Sequence, residues 1–117
     1  MDDFVTLWIG GVGFLTTRTT MASKEGYFSA LLKHQDFDKT EFWIDRDPVH
    51  FRYILNHLRG SVILPSDDQS LRELLVEADY YCLSDLVSLI TRALHKHPGT
   101  FEFQFKKLID MVGTLRT

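Results

Sequence analysis

The chain has one cysteine, Cys82, among 117 residues. An internal disulfide is therefore excluded, which suits a reducing compartment and gives cytoplasm as the expected location. Structural zinc needs four ligands, commonly in close Cys or His pairs. Here no Cys pair exists, His95-x-His97 is the single close His pair, and His50 and His57 lie too far apart to share an ion simply. No metal or cofactor is expected. No apolar run approaches the roughly 20 residues of a membrane helix. The start, Met1-Asp2-Asp3-Phe4, is acidic where a signal peptide needs a basic opening. Direct membrane insertion is not expected. Positive charge is also scarce: 13 Lys and Arg against 16 Asp and Glu leave a net charge of -3, which argues against nucleic acid as a partner. No Asn-x-Ser/Thr glycosylation acceptor occurs.

Catalytic patterns are missing as well. There is no Gly-x-Ser-x-Gly elbow and no His-Glu-x-x-His motif. Gly10-Gly11-Val12-Gly13 matches neither the dinucleotide fingerprint nor the lysine-bearing phosphate loop, and reads as a tight turn. Asp45 and Asp47 flank Arg46. Two carboxylates can serve acid–base chemistry. Asp47, however, suits a helix N-cap, and Arg46 would hold a neighbouring Asp ionised. The cluster reads as a salt-bridge network, within the domain or between subunits. No catalytic residue is assigned, and the chain is not expected to be an enzyme.

What is present is an ordinary globular composition, 44% hydrophobic and 25% charged. Residues 1–97 suit one domain, and 98–117 form a C-terminal extension in which Phe101, Phe103 and Phe105 alternate with polar residues. Val5, Leu7 and Ile9 alternate with Phe4, Thr6 and Trp8, which predicts a strand. Gly10-Gly11 turns the chain into a return strand over 12–17. Thr19 or Thr20 suits the start of a short helical turn.

Phe28, Leu31 and Leu32 predict a short helix within 26–34, and 41–44 a third strand. Asp47 as N-cap and Pro48 at the first position open the next helix. Its apolar face is Phe51, Ile54, Leu55 and Leu58, and Gly60 closes it. Ser66 with Gln69 resembles a capping box for a helix buried through Leu71, Leu74, Leu75 and Ala78. Ser84 suits the cap of a last helix with Leu86, Leu89, Ile90, Ala93 and Leu94 inward. The order gives an α+β class, a small mixed sheet on the N-terminal side with helices gathered toward the C-terminus.

Three blocks of residues resemble one family. Val5-Thr-Leu-Trp-Ile-Gly-Gly with Phe14-Leu-Thr-Thr-Arg-Thr-Thr is the first. The second is Phe42-Trp-Ile-Asp-Arg-Asp-Pro, followed by Phe51-x-x-Ile-Leu-Asn-x-Leu-Arg-Gly. The third is Leu74-Leu-Val-Glu-Ala-Asp-Tyr-Tyr-x-Leu. In this order they resemble the potassium-channel tetramerisation-domain (KCTD-like) branch of the BTB/POZ fold, over about residues 4 to 90. Two departures stand out: Trp8 takes the place of a usual Asn, and Lys24-Glu-Gly stands where a Pro is common.

The resemblance implies a self-assembling protein-interaction domain, a tetramer or pentamer. It further implies a substrate adaptor for a cullin-3 ubiquitin ligase, or alternatively the cytosolic assembly domain of a voltage-gated potassium channel or receptor auxiliary subunit. It carries a subunit-contact role to Asp45, Arg46 and Asp47. By position, the short helix and following loop, with Phe28, Leu32, His34 and Phe37, are the expected docking surface for a partner such as cullin-3.

Overall fold

A computed structural model describes residues 3–35 and 38–96. Strand β1 (Phe4–Ile9) and strand β2 (Val12–Thr17) form an antiparallel hairpin with Val5 opposite Thr16 and Leu7 opposite Phe14. Both turn residues have positive φ, 55° at Gly10 and 89° at Gly11. A hairpin turn of this kind matches the right-handed twist of the strands and is open mainly to glycine and asparagine. Strand β3 (Glu41–Ile44) runs parallel to β1, so the sheet order is β2-β1-β3 and the sheet is mixed.

The described residues also form five helices: α1 (Arg18–Met21), α2 (Tyr27–His34), α3 (Phe51–Leu58), α4 (Asp68–Tyr80) and α5 (Ser84–Leu94). Val5, Leu7, Ile9, Phe42 and Ile44 share one sheet face and join Phe28, Phe51, Ile54 and Leu74 in a single core. Burying each such side chain contributes about 1.5–3 kcal/mol. Four aromatic rings knit the centre. Phe14 packs on Phe51 at 4.9 Å, Phe28 on Tyr81 at 4.8 Å, and Phe51 on Tyr81 at 5.6 Å between centroids. The hairpin, α2, α3 and the end of α4 thus meet at one point. Tyr81 is wholly buried and its hydroxyl has no hydrogen-bond partner among the described residues. Burial pushes its phenol pKa well up. Its neighbour Tyr80 is exposed.

The expected fold class and strand limits match this architecture, but the helix starts need correction. Thr17 caps α1, its Oγ1 accepting from the Thr20 N–H at 3.1 Å, in place of Thr19 or Thr20. Asp47 does not cap α3. Its Oδ1 accepts from the Val49 N–H at 3.0 Å, a local turn, and the helix begins at Phe51. Asp67, one residue after Ser66, caps α4 by accepting from the Ser70 N–H at 2.9 Å. Ser84 lies inside α5, and Leu83 precedes it without a side-chain cap. Leu89 and Ala93 are half-buried, not core. The extension 98–117 lies outside the described residues.

At the C-terminus of α3 the expectation is met. Gly60 has φ 95°, its N–H reaches the His57 carbonyl, and the Ser61 N–H reaches the Asn56 carbonyl. This is the paired closing motif that favours glycine. The same motif ends α4, where the Cys82 N–H reaches Asp79 and the Leu83 N–H reaches Ala78. Cys82 occupies the left-handed position there, with φ 57°.

Candidate interaction surface

The Asp45-Arg46-Asp47 block sits where the sheet ends and α3 is about to begin. Two hydrogen bonds converge on the Ile44 carbonyl, from the Gly10 N–H at 2.9 Å and the Arg46 N–H at 3.0 Å. The hairpin tip and the block are therefore joined. A Cβ at Gly10 would lie 2.5 Å from the Arg46 carbonyl oxygen, so only glycine fits there.

Arg46 is not paired with either flanking carboxylate. Its Nε donates to Glu77 Oε1 at 3.0 Å and its Nη2 to Glu77 Oε2 at 2.8 Å. Its guanidinium also lies 4.1 Å from the centre of the Tyr80 ring. The hydrogen bonds to Glu77 raise the Arg46 pKa. The sequence could not fix the partner of Arg46, and the structure finds it on α4.

This pinning splits the block. Asp45 is exposed and borders a groove of about 270 Å³ lined also by Trp8, Gly10, Gly11, Trp43 and Ile44. Asp47 borders a second recess with His50, Glu73, Val76 and Glu77. In that recess His50 Nε2 lies 2.8 Å from Glu73 Oε1. Hydrogen bonds from Gln69 and then His50 lower the Glu73 pKa.

The outer face of the sheet is largely apolar, and none of the other described residues covers it. Phe4 is 64% exposed, Leu15 61% and Trp43 70%. Trp8 and Trp43 stand in register on neighbouring strands and stack at 5.0 Å with their planes 10° apart. Trp8 Nε1 donates to Glu41 Oε1 at 3.0 Å. Large uncovered aromatic faces of this kind mark interaction sites. None of these residues is among the expected site residues, although the outward Phe4 and Trp8 of β1, with Trp8 in the place of a polar residue, are a visible signal.

The second expected surface is placed less evenly. Phe28 is buried and packed on Tyr81, so it supports α2 from beneath and offers no surface to a partner. Leu32 is half-buried and His34 is exposed on the same helix. Phe37 lies outside the described residues. Among the described residues, no group of three or more His, Cys, Asp or Glu side chains is arranged to hold a metal ion. No helix among them is long and apolar enough to cross a membrane.

Comparison with known proteins decides the family. The BTB/POZ domain model matches residues 5–90. The chain belongs to the BTB/POZ domain family. It is similar to FH protein interacting protein FIP2 of Arabidopsis thaliana, 37% identical over 124 residues that cover 100% of this chain and 41% of that protein. It is also similar to human BTB/POZ domain-containing protein KCTD17, at 36% identity over 96% of this chain and 41% of that protein. Human BTB/POZ domain-containing protein KCTD5 is 35% identical over 98% of this chain and 57% of that protein.

These relatives support the KCTD-like branch within the BTB/POZ family. The chain spans between two-fifths and three-fifths of their length. It is accordingly an oligomerisation and protein-interaction domain.

Proposed function

We propose that this BTB/POZ domain assembles into a cytoplasmic ring of four or five copies that serves as the adaptor module of a cullin-3 ubiquitin ligase. The observation that carries the assembly reading is the turn at Asp45, Arg46 and Asp47. Arg46 is locked to Glu77, while the Asp45 carboxylate is exposed and has no partner among the described residues. A charged group on a rigid turn suits a specific polar contact between subunits, because little side-chain or backbone freedom remains to be lost there. In this reading Arg46 sets the shape of the turn from within, and Asp45 and Asp47 meet the neighbouring subunit.

The partner surface is the exposed side of α2 with the loop after it, through Leu32, His34 and Phe37. Phe28 holds the helix in place. Function is binding without chemistry: a ring repeats a weak docking surface and raises avidity without new contacts. The KCTD relatives support an oligomeric interaction module, and cullin-3 is the partner this proposal adds. Native mass spectrometry with a cullin-3 pull-down tests both halves. A ring that captures cullin-3, and loses it on Leu32→Asp with the ring intact, is expected. A ring that ignores cullin-3 would remove the adaptor role and leave the assembly.

A further inference from the structure

We propose that the recess at the start of α5 is a binding site for the free hydrogen phosphate ion. It shares no residue with the subunit-contact turn or with Leu32, His34 and Phe37 of the partner surface.

The recess lies where three parts of the chain meet. The link between α1 and α2 is held on both sides: Ser23 Oγ donates to the Leu58 carbonyl at 2.7 Å, and the Tyr27 N–H donates to the Tyr81 carbonyl at 3.0 Å. Lys24 and Glu25 therefore stand between the end of α3 and the turn that leads into α5. With His57 of α3, and Leu83, Ser84 and Asp85 at the start of α5, they line a space of about 120 Å³. Water takes up about 30 Å³ per molecule, so the space suits a few waters or one small tetrahedral ion.

Two independent features point to an anion. Helix α5 opens without a side-chain cap, and its hydrogen-bond ladder begins with the Val87 N–H on the Leu83 carbonyl at 3.0 Å. The amides of Ser84, Asp85 and Leu86 precede that ladder. Such amides, together with the helix dipole, attract an oxyanion. The second feature is His57. It is 5% exposed and lines the recess, and its ring makes no hydrogen bond to the described residues. A side chain so buried ordinarily has a polar partner. Burial, then the nearby Lys24, lowers its pKa, with Asp85 opposing. At neutral pH the ring thus offers one N–H donor and one acceptor, and Lys24 supplies the positive charge.

The acids choose among anions. Glu25 and Asp85 border the same space and repel an ion that only accepts hydrogen bonds. Inorganic phosphate keeps an O–H at neutral pH. It can donate through that group to Asp85 while its other oxygens accept from Lys24, Ser84 and the α5 amides. Sulfate has no O–H there. A phosphate monoester has largely lost its own at pH 7, since its second pKa is about 6. The mixed lining suits the free phosphate ion over both.

TROSY spectra of the nitrogen-labelled chain read the site, titrated at pH 7 with phosphate or with sulfate at matched ionic strength. Phosphate should shift the Ser84, Asp85 and Leu86 amides saturably. Sulfate and a capped phosphoserine should each bind about fivefold more weakly or worse. Lys24→Gln and His57→Gln should each weaken phosphate about fivefold, with circular dichroism confirming the fold. Asp85→Asn should bring sulfate within about twofold of phosphate, because asparagine also donates.

Equal binding of sulfate and phosphate by the parent, tighter binding of phosphoserine, or undiminished phosphate binding in both the Lys24 and His57 variants overturns the proposal. So does a titration that leaves the three amides unmoved, the result expected if the chain fills the recess itself.

Discussion

Arg46 and Glu77, separated by 31 residues, form a two-point ion pair at 2.8–3.0 Å that ties the turn after β3 to helix α4. Their side chains are 27% and 11% exposed. A pair so placed adds little over an apolar substitute, but breaking it leaves one charge partly buried and unmatched. Arg46→Met and Glu77→Gln should each destabilise the fold by about 2 kcal/mol, and the double variant by clearly less than the sum. Urea denaturation of the three variants measures this. Strictly additive losses would mean that the two side chains do not act as a unit.

The two helix ends closed by the same motif predict opposite signs. Gly60 has φ 95° with open space around it, so Gly60→Ala should cost about 1 kcal/mol through backbone strain alone. Cys82 holds φ 57° with a side chain present. Cys82→Gly should therefore stabilise by about 0.5–1 kcal/mol. The unfolding midpoints of the two variants should move in opposite directions. A Cys82→Gly variant no more stable than the parent would contradict the account of this helix end.

Gly10 couples the hairpin to the candidate contact turn. A methyl group there would meet the Arg46 carbonyl at 2.5 Å and Pro48 Cδ at 3.1 Å. Gly10→Ala should destabilise by more than about 2 kcal/mol and reduce assembly. Gly11→Ala, with no atom within 4 Å of its Cβ, carries only the cost of positive φ. Comparing their midpoints and native masses separates crowding from strain.

Protons should weaken the fold in a defined window. Burial lowers the His57 pKa below its ordinary 6.5, with Lys24 pushing the same way and Asp85 opposing. The unfolded chain then takes up a proton at this residue before the folded one does. Stability is full above the unfolded value and falls as pH drops from about 6.5 toward the lower folded value. His57→Gln should flatten this part of the profile. Asp67 and Glu73, whose pKa values are lowered, add further loss at more acid pH. Denaturant midpoints from neutral pH to pH 5 check the sign, and an unchanged slope in His57→Gln would assign it elsewhere.

The strands were legible because Val5, Leu7 and Ile9 alternate around a glycine pair, and the end of α3 because only one glycine follows its apolar face. The helix starts were less so. Ser66 and Asp67 are adjacent and both can cap, and Asp47 can serve a turn as well as a helix, so local chemistry permits neighbouring answers. The partner of Arg46 could not be read, since Glu77 is brought to it by the packing of α3 and α4. The tryptophan stack was hidden for a similar reason. It depends on the parallel pairing of β1 with β3, which no local pattern reports. Phe28 was misassigned because one apolar face of a short helix does not say which of its residues lies deepest.

Native mass spectrometry of the purified chain at micromolar concentration, beside an Asp45→Lys/Asp47→Lys variant, tests the central claim most directly. The account predicts one closed ring of four or five copies for the parent and a folded monomer for the variant. A folded parent that is strictly monomeric, or a variant that assembles as well as the parent, would contradict it.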